Sequence, residues 1–97
     1  MNLQKVLLLN NTIDAQVYPN PNNGNFKLNI QTGVNTQSPA TVQIIDMTGK
    51  VVAQYPAVNS FGTIKMDVSE NKLGNGIYIV KYVVGNVTGT LRIVVQK

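Results

Sequence analysis

The fold class is decided by the stretch Thr41-Val42-Gln43-Ile44-Ile45-Asp46-Met47-Thr48-Gly49-Lys50-Val51-Val52. Val42 and Ile44 alternate with polar residues, and this two-residue period is typical of a strand with one buried face. Asp46 is suited to accept backbone hydrogen bonds at the first position of a turn, and Gly49 to adopt the positive φ that a tight turn requires. The stretch therefore predicts a β-hairpin.

The same strand pattern recurs along the chain, with turn-forming residues between the strands. The predicted strands are Ala15–Tyr18, Phe26–Ile30, Thr41–Asp46, Lys50–Tyr55, Thr63–Val68, Ile77–Val84 and Thr90–Val95. Longer polar loops are predicted at Thr32–Pro39 and Ala57–Gly62, and at most one helical turn at Ser69–Leu73. The last hairpin turns at either Gly85-Asn86 or Thr88-Gly89. Short strands at a spacing of about 8–12 residues predict an all-β sandwich or small barrel.

Composition excludes several kinds of catalytic and metal site. The 97 residues contain no Cys and no His, which excludes zinc fingers, disulfide frameworks and imidazole or thiol catalysis. Of the four acids, Asp46 is explained by its turn, while Asp67 and Glu70 lie at a strand end, where capping is the usual role. Gly74-Asn75-Gly76 precedes a strand and not the helix that a phosphate loop needs. We predict no catalytic residues, no metal, no cofactor and no enzymatic activity.

Charge and hydropathy give the expected partners and domain limits. The net charge of +4 comes from Lys residues spread singly and one Arg, so no nucleic-acid binding is expected. The apolar runs Val6–Leu9 and Ile77–Val80 are far shorter than the roughly 20 residues of a membrane helix, so no membrane insertion is expected. We assign residues 1–14 to a leader, linker or remnant of a parent protein, whose Leu3, Val6 and Leu8 leave open an added edge strand. One domain follows at residues 15–97.

Four sequence blocks follow one another at compatible spacings. They are Val17-Tyr18-Pro19-Asn20-Pro21 with Gly24-Asn25-Phe26, the hairpin Val42–Val52, Leu73-Gly74-Asn75-Gly76-Ile77-Tyr78-Ile79-Val80, and Leu91-Arg92-Ile93-Val94-Val95-Gln96-Lys97. Together they resemble the Tyr-Pro-Asn-Pro, Asp-x-x-Gly-Lys, Leu-x-x-Gly-x-Tyr and terminal-strand blocks of the C-terminal sorting domains of the type IX (Por) secretion system. The residues that carry the resemblance are Tyr18, Pro19, Asn20, Pro21, Gly24, Phe26, Asp46, Gly49, Lys50, Gly76, Tyr78, Leu91, Arg92, Val94 and Lys97.

The resemblance implies a fold and a role. The fold is an immunoglobulin-like antiparallel β-sandwich of about seven strands, fused behind a larger exported cargo protein. The domain then passes through the periplasm to the outer membrane or cell surface, or is secreted, as a substrate of the outer-membrane translocon and of a surface sorting peptidase. The peptidase would cleave upstream of the sandwich, within Asn10–Gln16, and surface anchoring of the cargo would replace the domain. We expect a monomer or weak dimer that is recognised at the terminal strand and an adjoining loop.

One alternative remains open from the sequence, namely a non-catalytic immunoglobulin- or fibronectin-like module for adhesion or carbohydrate binding. A spacer of that kind can lie anywhere in its parent protein, whereas a sorting domain ends it. The chain has no Trp, the residue that sugar-binding faces often use. Tyr78 and Tyr82 share one face of a predicted strand, which is more typical of core packing than of a ligand platform.

Overall fold

The computed structural model describes residues 14–97, and all regular structure in this range is β. The strands are β1 (Asp14–Tyr18), β2 (Asn25–Gln31), β3 (Gln37–Ile45), β4 (Val51–Ser60), β5 (Thr63–Ser69), β6 (Gly76–Val84) and β7 (Val87–Val95). They pair antiparallel in the order β1-β2-β5-β4-β3-β6-β7. The predicted seven-strand, all-β fold is confirmed. The segment with Leu3, Val6 and Leu8, for which an added edge strand was left open, lies outside the described residues.

The seven strands form two layers, which strand pairing joins at one corner. Strands β4 and β5 pair only at Ser60 and Thr63, so β1-β2-β5 forms one layer and β4-β3-β6-β7 the other. The alternating apolar residues of the strands face each other between the layers and form one core. Its fully buried side chains include Leu28, Ile30, Val42, Ile44, Ile64, Val80, Val84, Ile93 and Val95. Each large aliphatic side chain buried in this way stabilises the fold by about 1.5–3 kcal/mol relative to exposure.

The turn from β4 to β5 is much shorter than the sequence predicts. The loop prediction at Ala57–Gly62 was wrong, because β4 continues to Ser60 and the turn consists of Phe61 and Gly62 alone. Both turn residues have positive φ, 51° and 105°, as expected for a two-residue hairpin turn. Pro56 lies within β4 and has no N–H to donate to a neighbouring strand. It is tolerated because β4 pairs along most of its length only with β3, so its other edge is open.

The last hairpin turns at Gly85-Asn86, since Val84 pairs with Val87. Gly89 therefore lies within β7, opposite Tyr82, and the Tyr82 ring occupies the space that a Cβ at position 89 would need. Tyr82 is 2% exposed, which confirms its predicted role in the core. No helix in residues 14–97 is long and apolar enough to cross a membrane.

One fully buried polar side chain fixes the loop between β2 and β3. The Asn59 Oδ1 atom accepts a hydrogen bond from the Thr32 hydroxyl at 2.6 Å, and Nδ2 donates to the carbonyl oxygens of Val34 and Thr36 at 2.9 and 2.7 Å. The Thr32 N–H also donates to the carbonyl of Gly62 at 2.7 Å. A loop without regular structure is thereby held to the sandwich through its own backbone.

Candidate functional site

The four sequence blocks meet at one end of the sandwich, which we call the motif pole. It consists of the loop Pro19–Gly24, the turn Asp46–Lys50, the corner Leu73–Gly76 and the segment Arg92–Lys97. The strand register brings them together, because Gly76 lies opposite Val95 and Ile45, just before the turn, lies opposite Ile79. Residues far apart in sequence therefore form one surface.

The Pro-Asn-Pro loop docks on the free edge of β7. The Asn22 N–H donates to the Val94 carbonyl at 2.9 Å, and the Gln96 N–H donates to the Asn22 carbonyl at 2.7 Å. The Asn20 Oδ1 atom accepts from the Val94 N–H at 3.0 Å. Both backbone groups that Val94 presents on this edge are thus satisfied by the loop.

The loop holds its shape through a second asparagine. Asn22 is 4% exposed; its Oδ1 atom accepts from the Gly24 N–H at 2.9 Å, and its Nδ2 atom donates to the Pro19 carbonyl at 3.2 Å. Pro19 and Pro21 fix two φ angles, and both follow cis peptide bonds. Asn22 was not among the predicted site residues, because it lies between the Tyr-Pro-Asn-Pro block and Gly24 and its partners are backbone atoms.

Gly24 is required by the close approach of two backbone segments. Its φ is +101°, and its carbonyl accepts from the Glu70 N–H at 2.9 Å. A Cβ atom at this position would lie 2.6 Å from the Glu70 carbonyl oxygen. The loop can therefore pass this close to the end of β5 only with glycine at position 24.

Lys97 is fixed against the corner that precedes β6. Its N–H donates to the Asn75 Oδ1 atom at 2.7 Å, and its ammonium group donates to the Asn71 carbonyl at 2.7 Å. The corner itself is anchored by Leu73, which is 3% exposed, and by the Tyr78 hydroxyl, which donates to the Gly74 carbonyl at 2.9 Å. The segment after β7 is thus held on both sides.

A carboxylate lies between the layers near this pole. The Tyr55 hydroxyl donates to the Glu70 Oε1 atom at 2.6 Å. Burial, the hydrogen bond to Glu70 and the charge of that carboxylate raise the pKa of Tyr55 to about 12. The pair is a structural contact between β4 and the segment after β5.

We expect this contact to make stability fall at alkaline pH. The folded-state pKa of Tyr55 is above its ordinary value of 10, so the contribution is complete below pH 10 and is lost as the pH rises towards 12. The Tyr55→Phe variant should have a smaller decrease in melting temperature between those pH values than the wild type. Burial also raises the pKa of Tyr82, so part of the decrease should remain. An unchanged decrease in the variant would contradict this assignment.

The turn between β3 and β4 is built around one carboxylate. The Asp46 Oδ1 atom accepts from the Thr48 hydroxyl at 2.6 Å, the Thr48 N–H at 2.9 Å and the Lys50 N–H at 3.0 Å. The bond from the Thr48 hydroxyl, and then the one from the Lys50 N–H, lower the pKa of Asp46. Gly49 has a φ of +91°. Asp46 and Gly49 thus form the turn as predicted, and Lys50 leaves it with an exposed side chain.

Replacing Gly49 with valine should lower the free energy of unfolding by more than about 1 kcal/mol, because a β-branched residue is strained at positive φ. Apart from the adjacent residues, no atom lies within 4 Å of the position of a Cβ, so backbone strain and not a clash of that atom is the expected cause. Gly74 has equally open surroundings without a positive φ, so Gly74→Val is the control and should cost less. Chemical denaturation followed by circular dichroism measures both. Equal losses would show that the turn conformation is unimportant.

The predicted site residues differ in how exposed they are. Phe26 is 3% exposed and supports the fold, and Leu91 packs against the core while remaining half-buried. The exposed members at or beside the pole are Tyr18, Pro19, Asn20, Pro21, Gly49, Lys50, Gly76, Arg92 and Lys97. Gly24 is buried, and Asp46, Tyr78 and Val94 are half-buried. Among residues 14–97 no group of three or more acidic side chains is placed to hold a metal ion.

Comparison with known proteins gives a family and a similar solved structure. The family model described as "Secretion system C-terminal sorting domain" matches residues 16–96. The crystal structure of dimeric latent PorU from Porphyromonas gingivalis is similar with a TM-score of 0.61 and 22% identity, covering 94% of this chain and 10% of the PorU chain. This chain thus corresponds to a small part of PorU, and the similarity confirms the immunoglobulin-like fold. No curated protein matches the sequence.

Proposed function

The chain belongs to the family of secretion system C-terminal sorting domains, and on that premise we propose that the motif pole is the surface by which the type IX secretion machinery recognises it. Membership makes the domain a C-terminal sorting signal for type IX secretion, which implies export to the outer membrane or cell surface. Domains of this family are generally non-catalytic. Our proposal extends this to the present chain: it carries no catalysis and acts as a substrate of the machinery.

The observation that carries the proposal is the closure of the Val94 edge by the Pro-Asn-Pro loop. Asn20 and Val94 are separated by 74 positions in the sequence and meet only in the folded domain. A receptor that reads this surface therefore distinguishes the folded domain from an unfolded chain. The loop already occupies the backbone groups of Val94, so a receptor has to contact the loop and the strand together and cannot simply add a strand at this point.

The expected positions of the cargo protein and of the cleavage site concern the end of the domain opposite the motif pole. We propose that a cargo protein precedes β1, passes through the periplasm with it and is released by the surface sorting peptidase. Residues Asp14–Gln16 pair with Asn29–Gln31 in the sheet. Cleavage within these residues would require them to leave the sheet, so we place the cut before Asp14, in the early part of the expected range Asn10–Gln16. Surface anchoring of the cargo would follow.

A secretion assay tests the role of the pole. A reporter with an export signal peptide is fused to the chain and expressed in a bacterium that has a type IX system. The wild-type fusion should reach the surface or medium, and the Asn20→Ala/Asn22→Ala variant should be retained inside the cell. Gln43→Ala is the matched control, because it removes an exposed amide hydrogen bond, to Gln54 at 2.9 Å, away from the pole.

Two outcomes separate the parts of this proposal. Retention of the wild-type fusion would contradict a sorting function for this chain. Normal export of the double variant would show that the secretion machinery does not recognise the loop. Melting curves of the purified domains are needed as well, to show that each variant is folded at the growth temperature. An unfolded variant would be retained for a different reason.

A further inference from the structure

An exposed apolar area lies on the outer face of the four-stranded layer, beside the motif pole. We call it the apolar patch, and it consists of Ile45, Val51, Val52, Ile77, Ile79 and Val94. Val51, Val52 and Ile77 are 43%, 39% and 39% exposed, and the others are half-buried. Met47, in the adjoining turn, is 67% exposed. A contiguous exposed area of this kind is typical of an interaction site, in contrast to single exposed apolar side chains.

The strand register explains why these side chains are contiguous. Ile45 lies opposite Ile79, and Ile77 lies opposite Val94, so two apolar pairs occupy neighbouring positions on one face. The pairing of β3 with β4 shifts between Ile44 and Ile45, which leaves Val52 as an extra residue. This bulge breaks the alternation, so that both Val51 and Val52 are exposed.

The border of the patch is cationic. Lys81 follows Ile79 on the same face of β6, Arg92 lies opposite Ile79 on β7, and Lys50 precedes Val51. Asp67 lies in the other layer, paired with Lys27 at 3.7 Å, and Glu70 is bound to Tyr55. Asp46 is the acid that lies beside the patch, and its carboxylate is engaged by the backbone of its turn.

We propose that the apolar patch is a second docking surface, for a protein partner that presents an apolar centre bordered by carboxylates. The biological setting of this inference, a component of the export machinery, rests on the proposed function, but the surface is distinct from the loop of the motif pole. Charge complementarity favours an acidic partner and gives specificity to an otherwise flat apolar contact.

The side chains favour a protein over a lipid surface. The patch consists of β-branched residues on a sheet, and within it there is no Trp, Phe or Tyr of the kind that inserts into the membrane interface. Short branched side chains on a sheet present a surface with little relief, which complements another packed protein surface. Binding to vesicles is therefore an outcome of the test that would count against the proposal.

The first experiment combines export with crosslinking. In the reporter fusion, Val51→Thr/Ile77→Thr keeps the side-chain branching at the Cβ atom while adding hydroxyls to the patch. The control is Val58→Thr, which changes a residue of the same strand that is 55% exposed and lies far from the patch. We expect about a tenfold loss of exported reporter for the double variant, equivalent to about 1.4 kcal/mol of binding free energy, and no loss for the control. A photo-crosslinker at position 77, but not at position 58, should capture one discrete protein.

The second experiment tests the charged border. Lys50→Glu/Lys81→Glu should weaken the crosslink from position 77 by a similar factor, and raised salt should weaken it in the wild type. Concentration-dependent dimers that Val51→Thr/Ile77→Thr abolishes would assign the patch to a second copy and overturn the proposal. Binding of the domain to anionic phosphatidylglycerol vesicles through the patch would overturn it too.

Normal export of both patch variants, without a crosslink at position 77, would also overturn the docking surface. The sorting function would survive that result, because the wild-type fusion and the Asn20→Ala/Asn22→Ala variant test it separately.

Discussion

Replacing Asn59 with leucine should lower the free energy of unfolding by about 3–5 kcal/mol, a large part of the total of about 5–15 kcal/mol for a domain. Leucine has a similar volume, so the expected effect does not come from a cavity. It comes from the three partners left behind: the Thr32 hydroxyl and the carbonyl oxygens of Val34 and Thr36. Each buried polar group without a hydrogen bond costs about 1–3 kcal/mol.

Denaturation monitored by circular dichroism measures this loss, since the chain has no Trp to serve as a fluorescence probe. Gln54→Leu is the matched control; it changes an exposed amide on the same strand and should alter stability by no more than about 0.5 kcal/mol. Amide hydrogen exchange in the loop 32–36 should accelerate in the Asn59 variant by more than the loss of global stability explains. A variant as stable as the control would mean that water replaces the lost donor and acceptor.

Asn59 also marks the limit of what the sequence predicts. The alternation of apolar and polar residues predicted where the strands lie, because a two-residue period depends only on neighbouring positions, as in Phe26–Ile30. The run Ala57–Gly62 contains Asn, Ser and Gly, whose local preference is for loops, so β4 was predicted to end at Tyr55. Tertiary pairing with Gln37–Ala40 overrides that preference and extends the strand to Ser60.

In the candidate site, too, local features were predictable from the sequence and long-range contacts were not. The turn at Asp46 and Gly49 was predictable, since its hydrogen bonds lie within five residues. The contacts of Asn20 and Asn22 with the far end of the chain, and the exposure of Val51 and Val52, depend on a register and a bulge that no local pattern specifies. Family motifs identified residues of the motif pole, but their shared location is a property of the fold.

The Gly24→Ala variant should lose about 3 kcal/mol or more of stability, because backbone strain at positive φ and a steric overlap both contribute. The position combines a φ of +101° with a Cβ site 2.6 Å from the Glu70 carbonyl oxygen. Gly33 has a φ of +75° with no atom within 4 Å of its Cβ site, so Gly33→Ala reports the backbone term alone. That control should lose only about 1 kcal/mol. The difference between the two variants measures the steric overlap.

The overlap should also have a local signature at the motif pole. A methyl group at position 24 pushes the loop away from Glu70, and the loop carries Asn22, whose backbone binds Val94 and Gln96. Exchange of the Val94 and Gln96 amide protons should therefore accelerate in Gly24→Ala and stay unchanged in Gly33→Ala at matched stability. If recognition requires the closed edge, export should follow the protection of these amides and not the melting temperature. Equal export of the two variants would show that the secretion machinery does not recognise the loop.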